Sequence, residues 1–200
     1  MPQIGVLISG RGSNLQALID AAAEGTLAAR IAVVISNRPG VEGLDRAARA
    51  GIATLVLSHR DYPDRDAFDA ALARELLSRG VELVCLAGFM RLIGPGLLDA
   101  FPRAILNIHP SLLPAFPGID AQGQAIAHGV KLSGATVHLV TGELDAGPII
   151  LQAGVAVAGD DTEASLAAKI LELEHRLYPE AVSIVLAGGW RVEGRRFVRS

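Results

Sequence analysis

The sequence predicts an α/β fold: a Rossmann-like, mostly parallel sheet with helices on both faces, to which the C-terminal part adds antiparallel strands. Three features lead there. Over the first hundred residues, short apolar runs alternate with stretches of helical period. Those runs are apolar nearly throughout, as strands covered on both faces are, instead of alternating apolar with polar. After about residue 100, two strand-like runs follow one another across a short polar link, as antiparallel neighbours do.

In order, "QIGVLIS" reads as the first strand and "SNLQALIDAAAEG" as a helix stopped by Gly25. "RIAVVIS" is a second strand, "GLDRAARAG" a short helix ending at Gly51, and "ATLVLS" a third strand. "DRDAFDAALARELLSRG" is an amphipathic helix: Phe68, Leu72 and Leu76 recur at i, i+4 and i+8, and Gly80 stops it. "VELVCLAG" is the fourth strand, and right-handed crossovers make the set doubly wound. "RAILNIH" is a fifth strand, followed by a loop stiffened by Pro110, Pro114 and Pro117. "AQGQAIAHG" is a short helix; "GATVHLV" and "PIILQAGVAV" are strands whose link, "TGELDAG", suits a hairpin. "DTEASLAAKILELEHRLYPEAVSIVLAGG" is a long helix with Asp161 or Thr162 at its N-cap, and Pro179 inside it implies a kink or break. "RVEGRRFVRS" reads as a terminal hairpin or a frayed strand, with Arg195, Arg196 and Arg199 as a solvated basic end.

The chain has 200 residues, enough for one full core, and no repeat or low-complexity segment divides it. Hydrophobic residues make up 50%, which argues against disorder. A formal net charge of −3 lacks the basic field of a general nucleic-acid binder. The single cysteine, Cys85, lies in an apolar run and reads as an inert core residue in a reducing compartment. The N-terminus has no basic signal region and no uncharged run is long enough to span a bilayer, so the expected location is the cytoplasm, away from membranes.

Gly10, Gly12, Ser13 and Asn14 fall between the first strand and the first helix. Ligands of open α/β sheets bind at the carboxyl ends of strands, where a helix N-terminus offers N–H groups and a positive dipole end. Ser13 or Asn14 can cap that helix or donate to a phosphate. The third glycine of a dinucleotide fingerprint is missing, since Leu15 stands there, and the P-loop pattern is absent. A monophosphate fits this turn better than a pyrophosphate.

A second candidate is the strand end "LNIHP". Side chains two residues apart in a strand face the same side, so Asn107 and His109 point together. Asn supplies a neutral donor; His donates, carries charge or moves a proton. Together they suit a developing oxyanion. Pro110 holds His109 extended. A carboxylate would favour the charged imidazole, and Asp145 in "TGELDAGP" is the leading candidate, with Glu143 its competitor. Ser111 keeps a Ser-His-Asp reading open, although no nucleophile elbow is present. The five histidines, at 59, 109, 128, 138 and 175, have no metal-ligand spacing, so no metal is expected.

These stretches, with "LISGRGSNLQALIDA", "SNRPG", "AGIAT", "LAGFMRLI", "LNIHPSLLPAFPG", "GATVHLVTGELDAGPIILQ" and "EHRLYPEAV", resemble the folate-dependent phosphoribosylglycinamide formyltransferases, collinearly from residue 4 to about 182. The resemblance implies one formyltransferase domain over residues 1–200, with a Rossmann-like phosphate-binding half (1–100) and a catalytic and folate-binding half (101–200). It implies direct transfer of a formyl group from 10-formyltetrahydrofolate, a co-substrate, to the amine of glycinamide ribonucleotide in purine synthesis, without a covalent enzyme intermediate. By resemblance Gly12, Ser13, Asn14 and Glu174 hold the ribonucleotide. Arg65, Met90, Arg91, Leu92, Ile93, Asn107, Val140, Thr141 and Glu143 hold the folate, and Asn107, His109 and Asp145 carry the chemistry. Gln122 stands where many members have histidine, and Gly142 and Ala146 where relatives often have Asp and Gly. The implied partners are small molecules, with no nucleic acid, and the implied state is a monomer or homodimer. The rivals are a methionyl-tRNA formyltransferase, expected to carry a further C-terminal RNA-binding domain; a formyltetrahydrofolate hydrolase, expected to carry an N-terminal regulatory domain; and a non-catalytic nucleotide-binding module.

Overall fold

The structure, a computed structural model, describes residues 1–199 and divides into two compact units, Met1–Asn107 and Ile108–Ser200. The first unit runs β1 (Gln3–Ile8), α1 (Ser13–Ala23), β2 (Arg30–Ser36), α2 (Glu42–Arg49), β3 (Thr54–Val56), a 3-10 turn (His59–Asp61), α3 (Arg65–Ser78), β4 (Leu83–Leu86) and α4 (Pro95–Ala100). It ends within β5 (Ile105–His109), whose last two residues belong to the second unit. Its strands pair in parallel in the order β3-β2-β1-β4-β5. Val6 at the centre lies opposite Val34 on one side and Cys85 on the other, and all three side chains are buried. The order reverses between β1 and β4, and such a switch point opens a crevice at the carboxyl ends of the strands.

The second unit contains α5 (Ala121–His128), β6 (Leu132–Leu139), β7 (Ile149–Ala156), α6 (Glu163–Ala187), β8 (Trp190–Glu193) and β9 (Arg196–Arg199). β6 and β7 are antiparallel, with Thr136 opposite Gln152. β9 runs parallel to β7 and forms the expected terminal hairpin with β8, its arginines exposed. α6 packs on β6 and β7, and its buried residues Leu166, Ile170, Leu173, Leu177, Tyr178, Ala181 and Val185 form a stripe of helical period.

The fold is thus the expected mostly parallel sheet with antiparallel strands in its C-terminal part. Four local expectations are corrected. Helix α4 has no counterpart among the elements expected from the sequence; Pro95 opens it, at a position where a missing N–H costs nothing. β3 keeps only three residues of "ATLVLS". α6 runs unbroken through Pro179, with Tyr178, Ala181 and Val182 fully buried beside it, so packing outweighs the missing backbone bond. Neither Ser13 nor Asn14 caps α1: the cap position is Gly12, and Ser13 is already helical. Among the described residues no helix is long and apolar enough to cross a membrane.

Candidate functional site

In the first unit the glycine loop lies at the end of β1, beside the switch point, where the Ser9 N–H bonds the Gly88 carbonyl beyond β4. Gly12 has φ 71, a left-handed conformation that favours glycine. A Cβ there would also fall 2.7 Å from the Gly43 Cα, so the starts of α1 and α2 touch backbone to backbone. α2 grips the loop further: the Gly43 N–H donates to the Gly10 carbonyl at 3.1 Å. The Arg46 Nε donates to the Arg11 carbonyl at 2.9 Å. No side chain caps α1 and no acidic residue lies in its first turn. The result is a fixed turn whose helix end is suited to an anion. Gly43 and Arg46 escape a sequence reading, because a contact between two helix starts leaves no periodic trace.

Beyond β4, the segment 90–93 is held at both ends. The Met90 N–H donates to the Ser9 hydroxyl at 2.8 Å, and that hydroxyl donates to the Asn37 side chain at 2.6 Å. The Gly94 N–H donates to Asp69 Oδ2 at 2.6 Å. Between these points Met90 and Leu92 expose their apolar side chains, Ile93 is buried, and the Arg91 guanidinium lies over the Phe68 ring, 5.7 Å from its centroid. Arg65 is the first residue of α3, and its stem lies beside Gly94. Arg65, Met90, Arg91, Leu92 and Ile93 therefore share one neighbourhood.

In the second unit His109 is 4% exposed. Its Nδ1 lies 3.4 Å from Asp145 Oδ2 and its Nε2 2.8 Å from the Phe116 carbonyl. Each ring nitrogen faces an oxygen acceptor, so the ring donates to both only as the doubly protonated imidazolium. Asp145, not Glu143, is the partner; Glu143 is exposed. The Asp145 backbone has φ 49, a region that Asp tolerates better than most residues. Its Oδ2 also accepts the Gly118 N–H at 2.8 Å, and its Oδ1 lies 3.7 Å from His138 Nε2. Burial would push the Asp145 carboxyl up, but the His138 ring, the Gly118 N–H and the His109 ring together hold it below its ordinary value. It is thus a carboxylate clasped between two imidazoles.

His138 is the residue that the sequence reading misses. It is 2% exposed on β6. The available signal is Thr136 two residues before it: a second polar residue at strand period inside an apolar run. Thr136 anchors the proline-rich loop. Its hydroxyl donates to the Ser111 carbonyl at 2.7 Å and accepts the Leu113 N–H at 3.1 Å and the Gln152 amide at 2.9 Å. That exhausts a hydroxyl's capacity. Gln152 also donates to the Leu113 carbonyl at 2.8 Å. Ser111, fully buried, donates to the Ala115 carbonyl, so its hydroxyl is a loop brace and the Ser-His-Asp alternative loses its nucleophile.

The other expected residues take these places. Asn107 shares the strand face of His109 by alternation along β5 and is half-buried. Glu174 is buried on α6. Val140, Thr141 and Glu143 follow β6, the first half-buried and the others exposed, with the Thr141 hydroxyl 3.4 Å from the Glu143 carbonyl.

The family model described as Formyl transferase matches residues 2–182. The trifunctional purine biosynthetic protein adenosine-3 of Drosophila melanogaster is 47% identical over 188 residues, covering 93% of this chain but 14% of that protein, so the chain spans only a small part of the relative's length. Phosphoribosylglycinamide formyltransferase of Escherichia coli is 43% identical over 190 residues, covering 95% of this chain and 87% of the relative. The crystal structure of glycinamide ribonucleotide transformylase 1 from Symbiobacterium toebii superposes with a TM-score of 0.98 at 56% identity, covering 100% of this chain and 95% of that one.

Proposed function

The chain belongs to the formyl transferase family, and from that premise we propose that it moves the formyl group of 10-formyltetrahydrofolate to the amine of glycinamide ribonucleotide, a step of purine synthesis. The observation that carries this reading is the buried His109–Asp145 pair, on a chain that resembles a glycinamide ribonucleotide transformylase along its whole length. The expected setting is the cytoplasm and the expected ligands are two small molecules.

The chemistry follows from the residue types. The neutral amine attacks the formyl carbon; a C–N bond forms and the carbonyl pair becomes an oxyanion. A doubly protonated His109 donates to that oxygen from Nε2, the formyl oxygen taking the place now held by the Phe116 carbonyl at 2.8 Å. Asn107 adds an amide donor on the same strand face. Asp145 holds the imidazole in orientation and balances its charge, and the amine proton leaves to Asp145, directly or through a water. Collapse of the intermediate breaks the bond from the formyl carbon to folate N10, which takes up a proton as tetrahydrofolate leaves. Holding both reactants together supplies the proximity contribution.

By this reading Gly12, Ser13 and Asn14 bind the ribonucleotide phosphate through the start of α1, with Glu174 on its sugar or glycinamide side. Arg65, the 90–93 segment, Val140, Thr141 and Glu143 bind the folate. With 10-formyltetrahydrofolate labelled in the formyl carbon, mass spectrometry of the products decides the matter: label in N-formylated ribonucleotide is expected. Label released only as formate would refute the proposed acceptor.

A further inference from the structure

We propose that Asp69, a residue that need not touch either substrate, is the positioning residue that presets segment 90–93 for the formyl donor. The inference rests on the donor reading given above. Asp69 lies on the buried face of α3 and is 1% exposed. A carboxylate withdrawn from water is costly unless something specific holds it. Burial pushes this carboxyl up, against the opposing pull of the Gly94 N–H and of Arg65.

The Asp69 carboxylate holds the main chain: its Oδ2 accepts the Gly94 N–H at 2.6 Å, a charge-assisted contact. Gly94 is the cap position of α4 and the residue at which segment 90–93 ends. The segment's other end is fixed by the Ser9–Asn37 pair through the Met90 N–H. Between these two anchors the strip exposes two large apolar side chains, Met90 at 67% and Leu92 at 55%. Fixing both ends holds its backbone groups where a flat heterocycle can pair with them. Gly94 suits this close approach, because a Cβ there would lie 2.6 Å from Asp69 Oδ2 and 3.2 Å from Arg65 Cδ.

Three variants test this. Asp69→Ala removes the acceptor and is expected to raise KM for the formyl donor about tenfold or more, with kcat at saturating donor and KM for the ribonucleotide close to wild type. Asp69→Asn retains an acceptor oxygen for the Gly94 N–H and is expected to restore donor KM most of the way. Gly94→Ala crowds the same contact from the other side and is expected to reproduce the rise in donor KM. Should Asp69→Ala yield no folded protein, Gly94→Ala carries the decision. An unchanged donor KM would overturn the proposal, as would a uniform loss in kcat and both KM values that tracks a fall in Tm, the mark of a purely structural carboxylate. Wild-type turnover of labelled donor is the control: if it fails, the functional reading fails, and if it succeeds while donor KM stays put, only the role of Asp69 does.

Discussion

At the residue scale the weight falls on Asp145. One carboxylate accepts a backbone N–H from Gly118 and faces His109 with one oxygen and His138 with the other. Replacing Asp145 by Asn, or His109 by Ala, is expected to lower kcat at least ~100-fold while ribonucleotide binding survives, since the phosphate reading rests on the start of α1; titration calorimetry beside steady-state rates checks both halves. His138→Leu tests the second imidazole. The nearby His138 ring helps hold the Asp145 carboxyl down, so without it that carboxyl rises. The acid limb of the kcat profile, where activity falls as Asp145 takes up a proton, should then move to higher pH; an unmoved limb would leave His138 as mere packing. Asn107 and His109 are legible in the sequence because strand period two and Pro110 fix their common direction. Asp145 is legible as one of two acids on a short loop. His138 is not, because a histidine inside an apolar run reads as core until the link between β6 and β7 is folded back onto it.

At the element scale the hairpin of β6 and β7 sets where Asp145 stands. It closes at Gly147, where a Cβ would fall 1.7 Å from the Leu139 carbonyl oxygen. Gly147→Ala must therefore displace backbone, and a loss of about 1–3 kcal/mol in urea unfolding is expected, accompanied by lower kcat as the Asp145 loop shifts. The start of the long helix is expected to make a separate contribution that depends on pH. Thr162 caps α6 in a reciprocal pair with Ser165. Asp161 is held down to about 2 by hydrogen bonds from Lys169, Ser165 and the Ala158 N–H. Its folded value is below its unfolded value near ~3.9, so its contribution is present above about pH 4 and lost as pH falls towards 2. The difference in Tm between wild type and Asp161→Asn should shrink over that window and be flat above it; a gap that persists at pH 2 would contradict the assignment. Helix periods and glycine stops make most elements readable. α4 is hidden because six residues opened by a proline carry too little period, and the persistence of α6 through Pro179 depends on tertiary packing that no local pattern records.

At the scale of the whole molecule, the fold class follows from the apolar texture of the strands, while the division between units does not: it falls inside β5, where the chain shows no change in composition. Each unit carries its own part of the proposed chemistry. The first supplies an uncapped helix start and a strip fixed at both ends; the second supplies the imidazole–carboxylate–imidazole set. A protein that needs both substrates should be idle with one. Deformylation of 10-formyltetrahydrofolate, followed by absorbance with and without glycinamide ribonucleotide, asks this directly. Turnover is expected only when the ribonucleotide is present, with one formyl group transferred per tetrahydrofolate formed. Equal turnover without the ribonucleotide would make the protein a hydrolase, and no turnover in either case would leave a binding module.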